Sequence, residues 1–167
     1  MSSLPLRISI LECDTPLDGT RAKYGGYGGV FTALLNSGAE ALEKPPLSPS
    51  DLKISVFDVV TKQEYPSLQD IDAVLITGSR HNSFENQPWI LKLVAFTEKV
   101  LKQRRVRIIG VCFGHQIVGR AMRAKVDRSD KGWETSVTAV DLTKKGQEIF
   151  GKTALVRTFG LSHFGPF

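Results

Sequence analysis

Residues 108–122, IIGVCFGHQIVGRAM, pass from a β-branched run through a glycine-flanked cysteine into a segment with helical apolar spacing. Gly110 and Gly114 allow a strained turn and a close approach of neighbouring elements. Cys112 would then stand at the N-terminus of the following helix, where the positive end of the helix dipole lowers the pKa of a thiol. The stretch therefore predicts a nucleophilic cysteine on a sharp strand-to-helix turn, with the N–H of Phe113 directed into the same space.

The rest of the chain alternates between β-rich and helical patterns. Strands that are separated by helices imply a mostly parallel sheet covered on both faces, and ligands of such sheets bind beyond the carboxyl ends of the strands. Cys13, Gly78 and Cys112 all fall at predicted strand ends. We predict strands over 6–11, 52–60, 71–78, 106–111 and 133–143, and helices over 29–42, from Pro88 onward, 115–124 and 144–151, with a turn-rich loop over 14–29. The strands over 71–78 and 106–111 are expected to be buried. The helix from Pro88 is expected to bury an apolar stripe at Trp89, Leu93, Phe96 and Val100.

The bulk composition restricts the class of protein. The chain has 167 residues, 41% hydrophobic and 23% charged, with a formal charge of +5, which suits one globular domain. Its basic residues are scattered and its aromatic residues do not interleave with them, so no nucleic-acid partner is expected. No signal peptide or membrane span is apparent. The two cysteines fit neither a disulfide framework nor a metal site, so we expect no metal and a cytoplasmic location.

A glycine-rich stretch, YGGYGG at 24–29, suggests a phosphate cradle but lacks the spacing of one, because Phe31 occupies the third glycine position. We expect a flexible loop over the strand ends, whose tyrosines could line a substrate pocket.

Three segments together resemble the class I glutamine amidotransferases. GVCFGHQ, 110–116, is similar to the G-x-C-x-G-x-Q nucleophile elbow of that family. ITGSRHNSFENQPWI, 76–90, resembles the loop that supplies its second oxyanion-hole N–H. KGWETSVTAVDLTKKGQEIFG, 131–151, resembles the segment after the elbow in the stand-alone members that are similar to the glutaminase domain of GMP synthase. The resemblance implies a flavodoxin-like α/β fold.

The resemblance also implies a role for each matching residue. Cys112 would be the nucleophile that attacks the side-chain amide of glutamine, and Phe113 would provide one oxyanion-hole N–H. Gly78 or Ser79 would provide the other, with Gly78 our first choice and Ser79 also placed beside the substrate. Gln116 would help to hold the glutamine. No cofactor is required.

The family pairs its cysteine with a later H-x-E motif, and this sequence departs from that pattern. His163 is followed by Phe164 and Gly165, and no Asp or Glu occurs after Glu148. His81 lies on the oxyanion loop and His115 within the elbow, so neither is expected to be the base. We expect residues 1–167 to form a single, incomplete amidotransferase-like domain that is truncated at the C-terminus, with a divergent tail over 152–167. Two explanations compete for the missing motif: a degenerate, non-catalytic relative, and a chain shortened by a gene-model error, a frameshift or an early stop, which the abrupt change of pattern favours.

Three functions are open at this point. The leading hypothesis is cysteine-dependent hydrolysis of a γ-glutamyl amide that supplies nitrogen to an acceptor enzyme in small-molecule biosynthesis. A second is a γ-glutamyl peptidase that acts on glutathione-like conjugates. A third is a catalytically inactive pseudo-amidotransferase that binds a ligand or a partner synthetase.

Overall fold

The computed structural model describes residues 5–43, 46–128 and 138–157, which divide into two compact units, one up to Val126 and one from Asp127 onward. Each unit is described by itself. Among the described residues no helix is long and apolar enough to cross a membrane.

The first unit is built on a parallel sheet, as the alternating pattern predicts. Its strands are β1 (Leu6–Glu12), β2 (Leu52–Asp58), β3 (Ala73–Ile76) and β4 (Arg107–Gly110). They are ordered β2-β1-β3-β4, and every neighbouring pair is parallel. The helices are α1 (Asp18–Tyr24), α2 (Tyr27–Glu40), α3 (Pro88–Gln103) and α4 (Phe113–Ala121). The carboxyl ends of β1 and β3 are therefore adjacent, and the end of β4 lies beside that of β3.

The sheet is buried on both of its faces at the centre. All four residues of β3 are buried. In β1, Ile8 and Ile10 on one face of the sheet and Leu11 on the other face are also buried. The apolar face of α3 provides much of the cover, because Trp89, Ile90, Leu93, Phe96 and Val100 all lie in the core. This is the stripe that the helical spacing predicts.

Two local predictions are wrong. Residues 14–29, expected to be a loop, contain α1 and the start of α2, so the YGGYGG stretch is a tight junction between two helices. Gly25 ends α1 with a φ of 77°, a conformation that glycine adopts without strain. The carboxylate of Glu12 accepts the N–H of Gly28 at 2.6 Å. The carboxylate of Glu12 therefore pairs with a backbone N–H in the first turn of α2.

The second wrong prediction concerns β4, expected to be buried on both faces. Ile109 is 44% exposed and the strand alternates between exposed and partly buried residues. The physical reason is position: β4 is the last strand in the order of the sheet among the described residues, so neighbours cover it less than they cover β3.

The second unit contains two strands and a helix between them: β5 (Thr138–Asp141), α5 (Lys144–Phe150) and β6 (Ala154–Arg157). β5 and β6 pair antiparallel. The hydroxyl of Thr143 caps α5 by accepting the N–H of Gly146. The strand and the helix that the sequence predicts here are both present, whereas β6 was not predicted and residues 133–137 of the predicted strand lie outside the described part.

Candidate active site

Cys112 occupies a strained turn between β4 and α4. Its backbone has φ 55° and ψ −109°, outside the regions that residues with a side chain ordinarily adopt. The ladder from β3 continues to Val111, whose N–H donates to the carbonyl of Ile76 at 3.0 Å, and Gly114 then donates to the carbonyl of Val111 at 2.9 Å. The strand thus reverses directly into the helix and leaves Cys112 at its N-cap, half-buried.

The glycines on either side of Cys112 make this turn sterically allowed. A Cβ on Gly110 would lie 2.6 Å from the backbone nitrogen of His115, and one on Gly114 would lie 2.8 Å from the carbonyl carbon of Ile76. Neither distance is tolerable for a carbon–backbone contact. The prediction that these glycines permit close approach is confirmed.

The loop that follows β3 lies against the cysteine. A Cβ built on Gly78 would be 3.9 Å from Sγ of Cys112 and 3.5 Å from its Cβ. Burial raises the pKa of the Cys112 thiol, while the backbone N–H groups of Phe113 and Ser79 face the sulfur and oppose that shift. The net direction is upward, contrary to the lowering expected of a helix N-terminus, because desolvation of the thiolate outweighs its backbone donors.

The structure thus brings together four of the five predicted site residues around one sulfur. Backbone hydrogen bonding from Phe113 and Ser79 opposes the upward shift of the Cys112 pKa, and Gly78 allows the loop to approach. The choice between Gly78 and Ser79 as the second N–H stays a prediction. The fifth residue, Gln116, is buried on the first turn of α4, where its backbone N–H donates to the carbonyl of Cys112 at 3.2 Å.

The three histidines lie in different places. His81 packs edge-on against the ring of Trp89, with the ring centroids 5.2 Å apart. His115 lies on the first turn of α4. His163 lies outside the described residues.

Aromatic packing connects the loop to the helix that carries the elbow. Trp89 stacks on Phe113 with ring centroids 5.6 Å apart, and its indole N–H donates to the side chain of Gln87 at 2.8 Å. From α4, the guanidinium of Arg120 donates to the carbonyls of Ser83 and Glu85. The loop after β3 is therefore held against α4 along much of its length.

Residues 45–163, more than half of the chain, match the family model of Glutamine amidotransferase class-I. The chain belongs to the class I glutamine amidotransferase family. The matched range ends inside the segment 152–167 that the sequence predicts to be divergent.

Individual relatives agree with this membership. A glutamine amidotransferase-like protein from Schizosaccharomyces pombe is 37% identical over 153 residues, which are 89% of this chain and 60% of the relative. A glutamine amidotransferase from Saccharomyces cerevisiae is 36% identical, again over 89% of this chain and 60% of the relative. Gamma-glutamyl peptidase 4 from Arabidopsis thaliana is 34% identical over 73% of this chain and 44% of its own length. The chain spans 60% or less of the length of each of these relatives.

Solved structures confirm the fold of this amidotransferase-family chain. A glutamine amidotransferase from Thermotoga maritima superimposes with a TM-score of 0.65 at 15% identity, covering 95% of this chain and 60% of that one. A glutamine amidotransferase from Methylobacillus flagellatus gives a TM-score of 0.61 at 17% identity, covering 98% of this chain and 59% of that one. The predicted flavodoxin-like class I fold is confirmed.

Two residues of this amidotransferase-family chain that bear on the site escaped the sequence analysis. Asp14 and Arg80 form an ion pair between the ends of β1 and β3. The signal available in the sequence was that opposite charges follow two predicted strands that both end beside the site. Among the described residues, no group of His, Cys, Asp and Glu is arranged to hold a metal ion.

Proposed function

We propose that this chain carries the nucleophile and the oxyanion hole of a glutaminase site, with Cys112 as the attacking residue. The observation that carries the proposal is the placement of Cys112 at φ 55° and ψ −109° on the N-cap of α4, with the N–H groups of Phe113 and Ser79 facing its sulfur. A residue with a side chain is held in such a conformation only where the surrounding structure enforces it, and such strain is concentrated at functional sites.

The chemistry that these groups support is acyl transfer. The thiolate of Cys112 attacks the carbonyl carbon of a γ-glutamyl amide, and the carbonyl oxygen becomes an oxyanion. Phe113 and Ser79 donate backbone hydrogen bonds to that oxygen, each typically worth ~3 kcal/mol in the transition state. Gly78 remains the other candidate for the second oxyanion-hole N–H, and Gln116 is proposed to contact the substrate.

Collapse of the tetrahedral intermediate breaks the carbon–nitrogen bond. The nitrogen takes up a proton and leaves as ammonia, and a γ-glutamyl thioester stays on Cys112. Water then attacks the thioester, which releases glutamate and returns the thiol. An acid–base group must deliver the proton to the leaving nitrogen and is typically worth ~10²–10⁴ in rate. His163 is the late candidate for this role in the sequence.

A second candidate substrate is a γ-glutamyl peptide. The relative named Gamma-glutamyl peptidase 4 is 34% identical, close to the identity of the two yeast relatives. The thioester step is the same for both substrates and only the leaving group differs, an α-amino group in place of ammonia. A role in small-molecule biosynthesis and an acceptor enzyme as partner belong to the same proposal and rest on the family resemblance. The proposed cytoplasmic location rests on the cysteine pattern of the sequence.

The test is a paired activity assay on the full chain. Ammonia release from glutamine and release of the cysteinyl peptide from γ-glutamyl-cysteinyl-glycine are measured side by side for the wild-type chain, Cys112→Ser and Cys13→Ser. Cys13 is the matched control, because it is the other cysteine and is completely buried.

The expected result is turnover of one of the two substrates that Cys112→Ser abolishes and Cys13→Ser preserves. Turnover that survives in Cys112→Ser would refute the assignment of the nucleophile. If the wild-type chain binds glutamine but releases neither product, the pseudo-amidotransferase hypothesis is favoured instead.

A further inference from the structure

A buried carboxylate joins the end of β1 to the loop that follows β3. Oδ2 of Asp14 accepts the backbone N–H of Arg80 at 2.8 Å, and Oδ1 accepts Nε of the same residue at 3.0 Å. Oδ1 also accepts the N–H of Thr15 at 2.7 Å. The three bonds fix the carboxylate in its own turn and fix Arg80 through both its backbone and its side chain.

The position of Arg80 in the chain gives these bonds a consequence for the site. Arg80 follows Gly78 and Ser79, and a Cβ built on Gly78 would lie 3.9 Å from Sγ of Cys112. The N–H of Ser79 therefore belongs to a peptide unit that passes beside the sulfur. Because the peptide unit between Ser79 and Arg80 is planar, a fixed nitrogen at Arg80 restricts the position of the Cα of Ser79, where the peptide unit that carries the Ser79 N–H ends.

The other end of the same loop is also held from β1. The hydroxyl of Thr77 accepts the N–H of Cys13 at 2.9 Å and donates to the carbonyl of Gly78 at 3.0 Å. Residues 77–80 are thus attached at both ends to the two residues that follow β1, Cys13 and Asp14, with Ser79 between the attachments.

The exposure of the ion pair shows that it is not a simple surface contact. The side chain of Asp14 is 5% exposed, whereas that of Arg80 is 64% exposed. Burying a carboxylate costs free energy that pairing with a solvated arginine recovers only in part. The effect of the pair is geometric, because a carboxylate that accepts two hydrogen bonds from Arg80 fixes the orientation of the loop, which an apolar contact would not do.

We propose that Asp14, acting through Arg80, is a positioning residue that holds the N–H of Ser79 where it meets the oxyanion formed when Cys112 attacks. This inference rests on the proposed function. Asp14 touches neither the substrate nor the reacting atoms in this scheme, since its effect is transmitted along the backbone from Arg80 to Ser79.

The substitution Asp14→Asn separates positioning from a direct effect of charge. If charge alone acted, removing the negative charge of Asp14 and leaving Arg80 unbalanced would favour the thiolate and lower the pKa of Cys112. Releasing the loop would take the N–H of Ser79 away from the sulfur and raise that pKa. The two explanations therefore predict opposite signs for the same measurement.

The experiment compares Asp14→Asn, Arg80→Ala and the matched control Asp58→Asn with the wild-type chain. Asp58 is also a carboxylate at the end of a strand, and it accepts the backbone N–H groups of Val60 and Thr61. It lies on β2, however, at the edge of the sheet opposite to β4 and Cys112. Two quantities are measured: kcat and KM for the substrate that the wild-type chain turns over, and the pH midpoint of iodoacetamide alkylation at Cys112, read by peptide mass spectrometry.

For Asp14→Asn we expect kcat to fall by about 10–100-fold with KM changed by less than about threefold, since a misplaced oxyanion donor acts on the transition state. The alkylation midpoint should move to higher pH. Arg80→Ala keeps the backbone bond to Oδ2 and should show a smaller change in the same directions. Asp58→Asn should match the wild-type chain in both quantities.

Each adverse result has a distinct meaning. A wild-type kcat in Asp14→Asn, or an alkylation midpoint that is unchanged or lower, overturns the inference, and so does an equal loss in Asp58→Asn. If circular dichroism shows that Asp14→Asn does not fold, Arg80→Ala decides, and wild-type values there overturn the inference. If the wild-type chain turns over neither substrate, the proposed function fails, while the alkylation midpoint still tests the positioning of Ser79.

Discussion

The strain at Cys112 predicts an unusual order of stability between two substitutions at that position. Glycine adopts φ 55° and ψ −109° without the steric cost that any Cβ incurs, and a residue held in a sparsely populated conformation stores about 1–3 kcal/mol. Against this, glycine loses about 0.5–1 kcal/mol relative to alanine through the greater freedom of the unfolded chain. Cys112→Gly should therefore be more stable than Cys112→Ala by about 1 kcal/mol.

The assay is urea denaturation of both variants, followed by tryptophan fluorescence and by far-ultraviolet circular dichroism. In a chain of this size about 1 kcal/mol corresponds to roughly 2–4 °C in Tm, so thermal unfolding provides an independent check. The internal control is Gly38, which lies within α2 and whose Cβ would meet nothing within 4 Å. There the order should reverse, with Gly38→Ala more stable than the wild-type chain by about 0.5–1 kcal/mol. If alanine is favoured at both positions, the strained conformation of Cys112 is refuted.

Three further predictions concern the framework around the site. Gly114→Ala should destabilise the chain by about 1–3 kcal/mol in urea, because its Cβ would lie 2.8 Å from both the carbonyl carbon and the Cβ of Ile76; a stability equal to that of the wild-type chain would contradict the close approach of α4 to β3. Hydrogen bonding from Arg7 lowers the pKa of Asp72 from 3.8 to about 2, so its contribution to stability is fully present above about pH 4 and is lost as the pH falls toward 2. Asp72→Asn should accordingly unfold at lower urea than the wild-type chain at pH 7, and the difference should shrink on acidification; a difference that is constant with pH would count against the ion pair. Arg104 ends α3 with φ 55°, so Arg104→Gly should raise stability by about 1 kcal/mol, and a loss of stability in thermal unfolding would show that this helix end is not left-handed.

The sequence pattern predicts most of the fold because apolar periodicity is a local property. The buried stripe of α3 and the continuous apolar run of β3 both follow from it. The short helix α1 was missed because it lies in a stretch, residues 14–29, that contains Pro16 and five glycines, residues that favour turns. The exposure of Ile109 was missed because burial depends on the order of the strands, and an apolar strand at the edge of a sheet has the same composition as one at its centre.

The candidate site was predictable to the same extent and for the same reason. The turn at Cys112 depends on seven consecutive residues, 110–116. Its two flanking glycines indicate a sharp turn with close backbone contacts, so it could be predicted from local sequence. The bonds from Asp14 to Arg80 join positions 66 apart, which become neighbours only because β1 and β3 pair. The upward direction of the thiol pKa was also not predictable, since burial of Cys112 depends on how the loop after β3 covers it.

The central claim is that Cys112 is a nucleophile presented to a γ-glutamyl substrate. The most direct measurement is intact-mass and peptide mass spectrometry of the full chain after incubation with an electrophilic diazoketone analogue of glutamine, with and without excess glutamine. The account predicts a single adduct, located on Cys112, that excess glutamine suppresses. An adduct on Cys13, or labelling of Cys112 that glutamine does not slow, would contradict it.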